Sequence, residues 1–111
     1  MNVAVIDYGM GNVFNVERAL KAIGCHVVIT NDPIEIEAAD AILLPGVGAF
    51  PQAMASLHAT GLVPLLKQMA TEKPFLGICL GMQLLFDSST EGMLTKGLGL
   101  IEGRVERMRA K

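Results

Sequence analysis

The sequence predicts an α/β domain built on a parallel sheet, and three observations carry that prediction. Short apolar runs rich in β-branched residues, at 3–6, 25–29, 41–44 and 75–78, alternate with helical spacing at 13–23, 49–59 and 62–70. That alternation is the mark of right-handed crossovers between parallel strands. The runs are continuous rather than alternating, as in strands covered on both faces. Glycine-bearing loops follow three of them, at 8–12, 45–48 and 77–81. In such a sheet these loops fall together at the carboxyl edge, where ligands bind.

The bulk numbers agree. The chain has 111 residues, 51% hydrophobic and 18% charged, enough apolar material for one domain (residues 1–111) and too much for disorder. A formal charge of −2 offers no basic field for nucleic acid. Two cysteines make no disulfide framework and fit a reducing compartment. No signal peptide and no apolar run long enough to span a bilayer is apparent, so the expectation is a cytoplasmic protein with no membrane contact.

Val3-Ala4-Val5-Ile6 is the first strand, and Tyr8-Gly9-Met10-Gly11-Asn12 its exit loop. Val13, Val16, Leu20 and Ile23 form the apolar stripe of a helix that Gly24 stops. Gly9-Met10-Gly11 is not a dinucleotide fingerprint, because Phe14 holds the third glycine's place and no acidic residue closes the second strand. Cys25 to Ile29 is that second strand, with Cys25 read as structural and His26 as a packed or surface residue. Asp32-Pro33-Ile34-Glu35 starts a short helix: Asp32 caps, Pro33 takes the first position and Glu35 completes a capping box.

Ala41 to Leu44 is the third strand, and Pro45-Gly46-Val47-Gly48 leaves its carboxyl end. The next helix, 49–59, buries Phe50, Ala53, Met54 and Leu57, with His58 near its solvated end. A further helical piece over 62–70 carries Pro64 in its first turn. Pro74 opens the strand that leads to Cys79, and an apolar helix is expected after it. Residues 87–92 read as a surface loop, and 98–108 as an extended segment in which Gly103 marks a bulge or turn. Arg104, Arg107, Arg109 and Lys111 read as a solvated basic end.

Chemistry concentrates at Gly77-Ile78-Cys79-Leu80-Gly81. Gly-x-Cys-x-Gly has the spacing of a nucleophile elbow with Cys in place of Ser. A side chain presented on so sharp a strand-to-helix turn needs a strained backbone and neighbours without Cβ, here Gly77 and Gly81. The helix N-terminus there favours a thiolate, and the Leu80 amide, with no intrahelical partner, is a candidate oxyanion donor. The competing reading is a buried structural cysteine at an ordinary junction.

Pro45-Gly46-Val47-Gly48 some thirty residues before Gly77-Ile78-Cys79-Leu80-Gly81-Met82-Gln83 resembles the class I (triad) glutamine amidotransferases. Asp7-Tyr8-Gly9-Met10-Gly11-Asn12 and Gly97-Leu98-Gly99-Leu100-Ile101-Glu102-Gly103 narrow the resemblance to the glutaminase subunits of imidazole glycerol phosphate synthase, in histidine biosynthesis. The resemblance implies a flavodoxin-like parallel sheet with helices on both faces. It implies Cys79 as nucleophile, the amides of Val47 and Leu80 as oxyanion donors, and Gly46, Gly48 and Gln83 against the substrate glutamine. It further implies a (β/α)8-barrel cyclase partner that receives the ammonia, with Asn12 and Asn15 at that interface, and no metal or other cofactor.

The family takes its base and the group that orients it from a late His-x-Glu pair, and these residues hold no such pair. His26 and His58 are the only histidines. The 111 residues are therefore expected to be the N-terminal portion of one such domain, ending before its C-terminal strands, inactive alone and prone to self-association through an open sheet edge.

Overall fold

In a computed structural model of the chain, residues 1–90 and 94–106 are described. β1 (Asn2–Ile6), α1 (Val13–Ala22), β2 (His26–Thr30), α2 (Pro33–Ala38), β3 (Ala41–Leu44), α3 (Phe50–Ala59), α4 (Val63–Glu72) and β4 (Phe75–Gly77) follow one another. The four strands form one all-parallel sheet in the order β2-β1-β3-β4. A one-turn α5 (Leu80–Gln83) leads to β5 (Phe86–Ser89), β6 (Thr95–Lys96) and β7 (Ile101–Val105), a separate three-stranded sheet ordered β6-β5-β7.

Alternation along the central strands splits the core into two layers. Ala4, Ile6, Ile42 and Leu44 face one way and pack with Ile36, Phe50, Met54, Leu57, Leu66 and Met69 from α2, α3 and α4. Val3, Val5, Ala41 and Leu43 face the other way, against Val13, Val16 and Leu20 of α1. Helices thus cover both faces of the sheet. The predicted stripe of α3 is buried as read, and Pro64 does sit in the first turn of α4. Cys25 lies just before β2 and packs on the α1 side, as the structural reading expects.

Helix ends follow local chemistry. Asn12 caps α1 by accepting from the Asn15 amide at 3.2 Å, and Gly24 leaves it at φ +90°. Asp32 caps α2 through the Ile34 amide at 2.9 Å. The expected capping box does not close directly. Glu35 accepts from the Thr30 hydroxyl at 2.6 Å, and that oxygen accepts from the Asp32 amide at 2.9 Å, so the hydroxyl relays between them. Lys73, after α4, donates to the carbonyls of Ile36, Glu37 and Ala39, and so caps the C-terminal end of α2 from a neighbouring helix.

The structure corrects three expectations. β4 is the sheet's edge among the described strands and is not buried, with Leu76 55% exposed. An apolar run records a strand's demand for cover but not whether a further strand lies beside it. The helix after Cys79 is a single turn, because the Leu84 and Leu85 carbonyls accept from the amides of Leu98, Leu100 and Ile101 and β5 begins at Phe86. Residues 86–89 are strand rather than surface loop, and Ser89 is fully buried. Gly103 does mark a bulge: at φ +134° it lies where β7 carries one more residue than β5 between Ile101 and Arg104. Arg104 is exposed and pairs with Glu106 at 2.7 Å. The readings at Glu91, Gly92, Arg107, Met108, Arg109 and Lys111 lie outside the described residues.

Candidate active site

Cys79 is the only non-glycine residue at positive φ among the described residues, with φ 57° and ψ −126°. Such a conformation costs of order 1–3 kcal/mol and persists only where its surroundings enforce it. Here two glycines make the enforcement possible. A Cβ on Gly77 would lie 2.6 Å from Met82 Cα and 2.8 Å from the Gly81 carbonyl oxygen. A Cβ on Gly81 would overlap the Leu44 carbonyl oxygen and come within 2.8 Å of Leu44 C. The turn after Cys79 is pressed against the end of β3, and Cys79 itself is exposed. The buried-cysteine reading therefore has no support in this geometry.

The three loops meet at this point. The Tyr8 hydroxyl donates to the Pro45 carbonyl at 2.6 Å. A Cβ on Gly11 would touch Pro45 Cβ at 3.2 Å, and one on Gly48 would touch Met10 Cε at 3.2 Å. A Cβ on Gly46 would lie 2.7 Å from both the Tyr8 hydroxyl oxygen and the Gly81 nitrogen. Close backbone approach, which glycine alone allows, is what joins the loops. Sequence reasoning placed Tyr8 only in a loop and gave it no role. Its burial raises the phenol from 10.0 to about 12, so it stays a hydrogen-bond donor across the neutral range.

Successive carbonyls leaving β3 each have one donor. Leu44 accepts from the Ile78 amide at 3.0 Å, Pro45 from Tyr8, and Gly46 from the Leu80 amide at 3.2 Å. The Leu80 amide has no intrahelical partner, as expected, but it is engaged by Gly46 rather than open to a ligand. In a trans peptide the N–H opposes the C=O, so the Val47 amide points away from the Leu80 amide. The two donors do not converge in this arrangement.

Val47 and Gly48 are exposed beside the elbow, Gly46 is buried and Gln83 is half-buried on α5. Asn12 and Asn15 are exposed at the same edge of the sheet. Neither histidine is near. His26 pairs with Asn2 at the amino end of the strands, and His58 lies at the far end of α3, which runs back from the Pro45–Gly48 loop. Among the described residues no three His, Cys, Asp or Glu side chains group as a metal site, and no helix is long and apolar enough to cross a membrane.

The family model "Glutamine amidotransferase class-I" matches residues 4–110. The chain is 55% identical over 106 residues to "Imidazole glycerol phosphate synthase subunit HisH" of Exiguobacterium sibiricum, a match covering 96% of this chain and 54% of that protein. It is 52% identical over 112 residues to "Imidazole glycerol phosphate synthase subunit HisH 2" of Vibrio vulnificus, covering 98% and 52%. It is 51% identical over 109 residues to the subunit HisH of Moorella thermoacetica, covering 97% and 52%. The chain spans about half the length of the curated relatives it matches.

Proposed function

The chain belongs to the class I glutamine amidotransferases, and from that premise we propose that it carries the nucleophile half of the glutaminase subunit of imidazole glycerol phosphate synthase. Residues 1–111 form the N-terminal portion of a single amidotransferase domain. The Cys79 thiolate attacks the side-chain amide carbon of glutamine. The tetrahedral intermediate expels ammonia, the leaving nitrogen taking the proton that the thiol gave up, and water then hydrolyses the thioester to glutamate and returns a proton to the sulfur. The observation that supports this reading above the others is the exposed, left-handed Cys79 between Gly77 and Gly81, facing the Pro45–Gly48 loop.

Val47 and Leu80 supply the oxyanion donors once the Gly46–Val47 peptide rotates. That rotation withdraws the Gly46 carbonyl from the Leu80 amide and brings the Val47 N–H toward it. The structure holds the closed arrangement. Gly46, Gly48 and Gln83 line the glutamine side, close to these donors. Ammonia passes to a (β/α)8-barrel cyclase docked over the carboxyl edge of the sheet in the cytoplasm, with Asn12 and Asn15 in the interface of the resulting heterodimer.

The base that would accept the thiol proton is absent from residues 1–111, since neither histidine reaches the elbow. Base-assisted proton transfer contributes roughly 10²–10⁴-fold, so this polypeptide by itself hydrolyses glutamine negligibly. A chloroketone analogue of glutamine tests the site directly. Peptide mapping is expected to find the label on Cys79, reduced by excess glutamine, with Cys25 unmodified. Equal labelling of both cysteines, or no protection, refutes the assignment.

A further inference from the structure

We propose that Tyr8 is a positioning residue for the oxyanion site: its hydroxyl clamps the Pro45 carbonyl in both arrangements of the loop, so that only the Gly46–Val47 peptide swings. This deepens the glutaminase reading and rests on it. The argument starts from the three successive carbonyls. The Leu44 carbonyl is tied to the β4 side by the Ile78 amide at 3.0 Å, an extension of the sheet itself. The Gly46 carbonyl is tied to Leu80, the donor that the chemistry must free. Between the fixed peptide and the moving one stands Pro45, whose carbonyl has the buried Tyr8 hydroxyl at 2.6 Å.

Tyr8 is well placed to be the fixed member. It stands two residues past the end of β1, and Asp7 between them is still tied to the sheet, its amide donating to the Thr30 carbonyl at 3.0 Å. Its ring is packed in the main core with Leu44, Phe50 and Leu80. Its oxygen lies 2.7 Å from where a Gly46 Cβ would stand, beside the residue about which the swing occurs. A buried phenol kept protonated to about 12 keeps that bond through any neutral-pH cycle. Without the clamp, rotation spreads into Pro45, and the Val47 N–H is delivered over a range of directions rather than one. Oxyanion donors act only when held at the correct distance and angle, and losing one costs about 10²–10³-fold.

Because the chain lacks the base, the test uses an acyl donor whose leaving group needs no proton: the γ-p-nitrophenyl ester of glutamate. Cys79 sulfur bonds to the acyl carbon, the ester C–O bond breaks, and p-nitrophenolate departs with the electron pair. Iodoacetamide alkylates the same sulfur with no oxyanion, so the ratio of the two rates isolates the donors. Tyr8→Phe keeps the ring and is expected to lower ester acylation by about tenfold or more, a misaimed donor rather than a missing one, with alkylation unchanged. A fall of both rates together, or ester acylation that is equal or faster, overturns the clamp. Tyr8 is the sole tyrosine, so biosynthetic replacement by ring-fluorinated tyrosine changes that residue alone and is expected to retain the wild-type ratio. Its fluorine resonance also keeps the proposal testable if Tyr8→Phe does not fold. A resonance staying within its line width on acylation supports a hydroxyl fixed in both states, and a displaced resonance overturns it. Wild-type ester acylation no faster than that of a free thiol sinks the glutaminase reading instead.

Discussion

Gly81→Ala isolates the contact on which the elbow is built. The new Cβ would overlap the Leu44 carbonyl oxygen and lie 2.8 Å from Leu44 C and 3.0 Å from Pro45 C. All three are backbone atoms, so no rotamer change relieves the crowding, and α5 must move away from the end of β3. Overpacking of a fitted core costs typically about 1–3 kcal/mol, and more where backbone must shift. The displaced Leu44 carbonyl also loses the Ile78 amide, 3.0 Å away, and a buried hydrogen bond contributes about 0.5–1.5 kcal/mol. The two effects together predict a loss of about 3–4 kcal/mol, a large share of the ~5–15 kcal/mol that holds a domain of this size together. Urea denaturation measures it, with Gly24→Ala as the control. Gly24 has φ +90° and nothing within 4 Å of a Cβ, so it reports left-handed strain alone, about 1–2 kcal/mol. If Gly81→Ala is no more destabilising than Gly24→Ala, the close packing of α5 on β3 is not what holds Cys79 on its bend.

Lys73→Met removes the ammonium that caps α2 from α4, and hydrogen bonds to a charged donor are each worth about 1.5–3 kcal/mol, so thermal unfolding is expected to shift down by roughly 4–8 °C for each kcal/mol lost. Tyr8 titrates near 12 in the folded chain against 10.0 unfolded, so its contribution to stability is complete below pH 10 and is lost as pH rises toward 12. The difference in denaturation midpoint between wild type and Tyr8→Phe is therefore expected to be constant below pH 10 and to shrink above it, and a flat difference refutes the shift. Asn12→Ala should cost about 1 kcal/mol through loss of the α1 cap whether or not a partner is present, whereas Asn15→Ala should leave stability within about 0.5 kcal/mol and weaken binding of a barrel cyclase in titration calorimetry.

The parallel sheet was legible because β1 and β3 are central and buried on both faces, and a central parallel strand has no polar side to interrupt its apolar run. The elbow was legible because its glycines answer a steric demand that two residues on either side of Cys79 must meet. What the sequence could not show depends on pairings between distant segments. Leu84 and Leu85 continue an apolar helical pattern, yet their carbonyls accept from the Leu98, Leu100 and Ile101 amides, and those bonds end the helix after one turn. Asp87 and Ser88 have the composition of a loop. They join a strand because Asp87 accepts from the Gly97 amide at its carbonyl and from the Gly103 amide at its carboxylate. Phe75–Gly77 reads as buried because its side chains are apolar, but residues 1–111 place no described strand on its outer side. The closed Leu80 amide was invisible for a related reason: peptide orientation in the Pro45–Gly48 loop leaves no trace in residue identity.

The same economy of small residues that makes the site readable also makes it movable. Gly46 has no side chain because the Tyr8 hydroxyl and the Gly81 nitrogen occupy the space a Cβ needs. Once a glycine stands there, rotation of the following peptide meets little torsional resistance. A position kept bare by close packing thus stands next to the peptide that, on the proposed mechanism, turns to free the Leu80 amide. The neighbours on either side are stiff for independent reasons: Pro45 by its ring and the Tyr8 bond, Cys79 by the glycine-lined bend. A single flexible link between two rigid supports has few ways to move. On the proposed mechanism, an arrangement with its donors apart needs only the Gly46–Val47 peptide to turn for the Leu80 amide to be released.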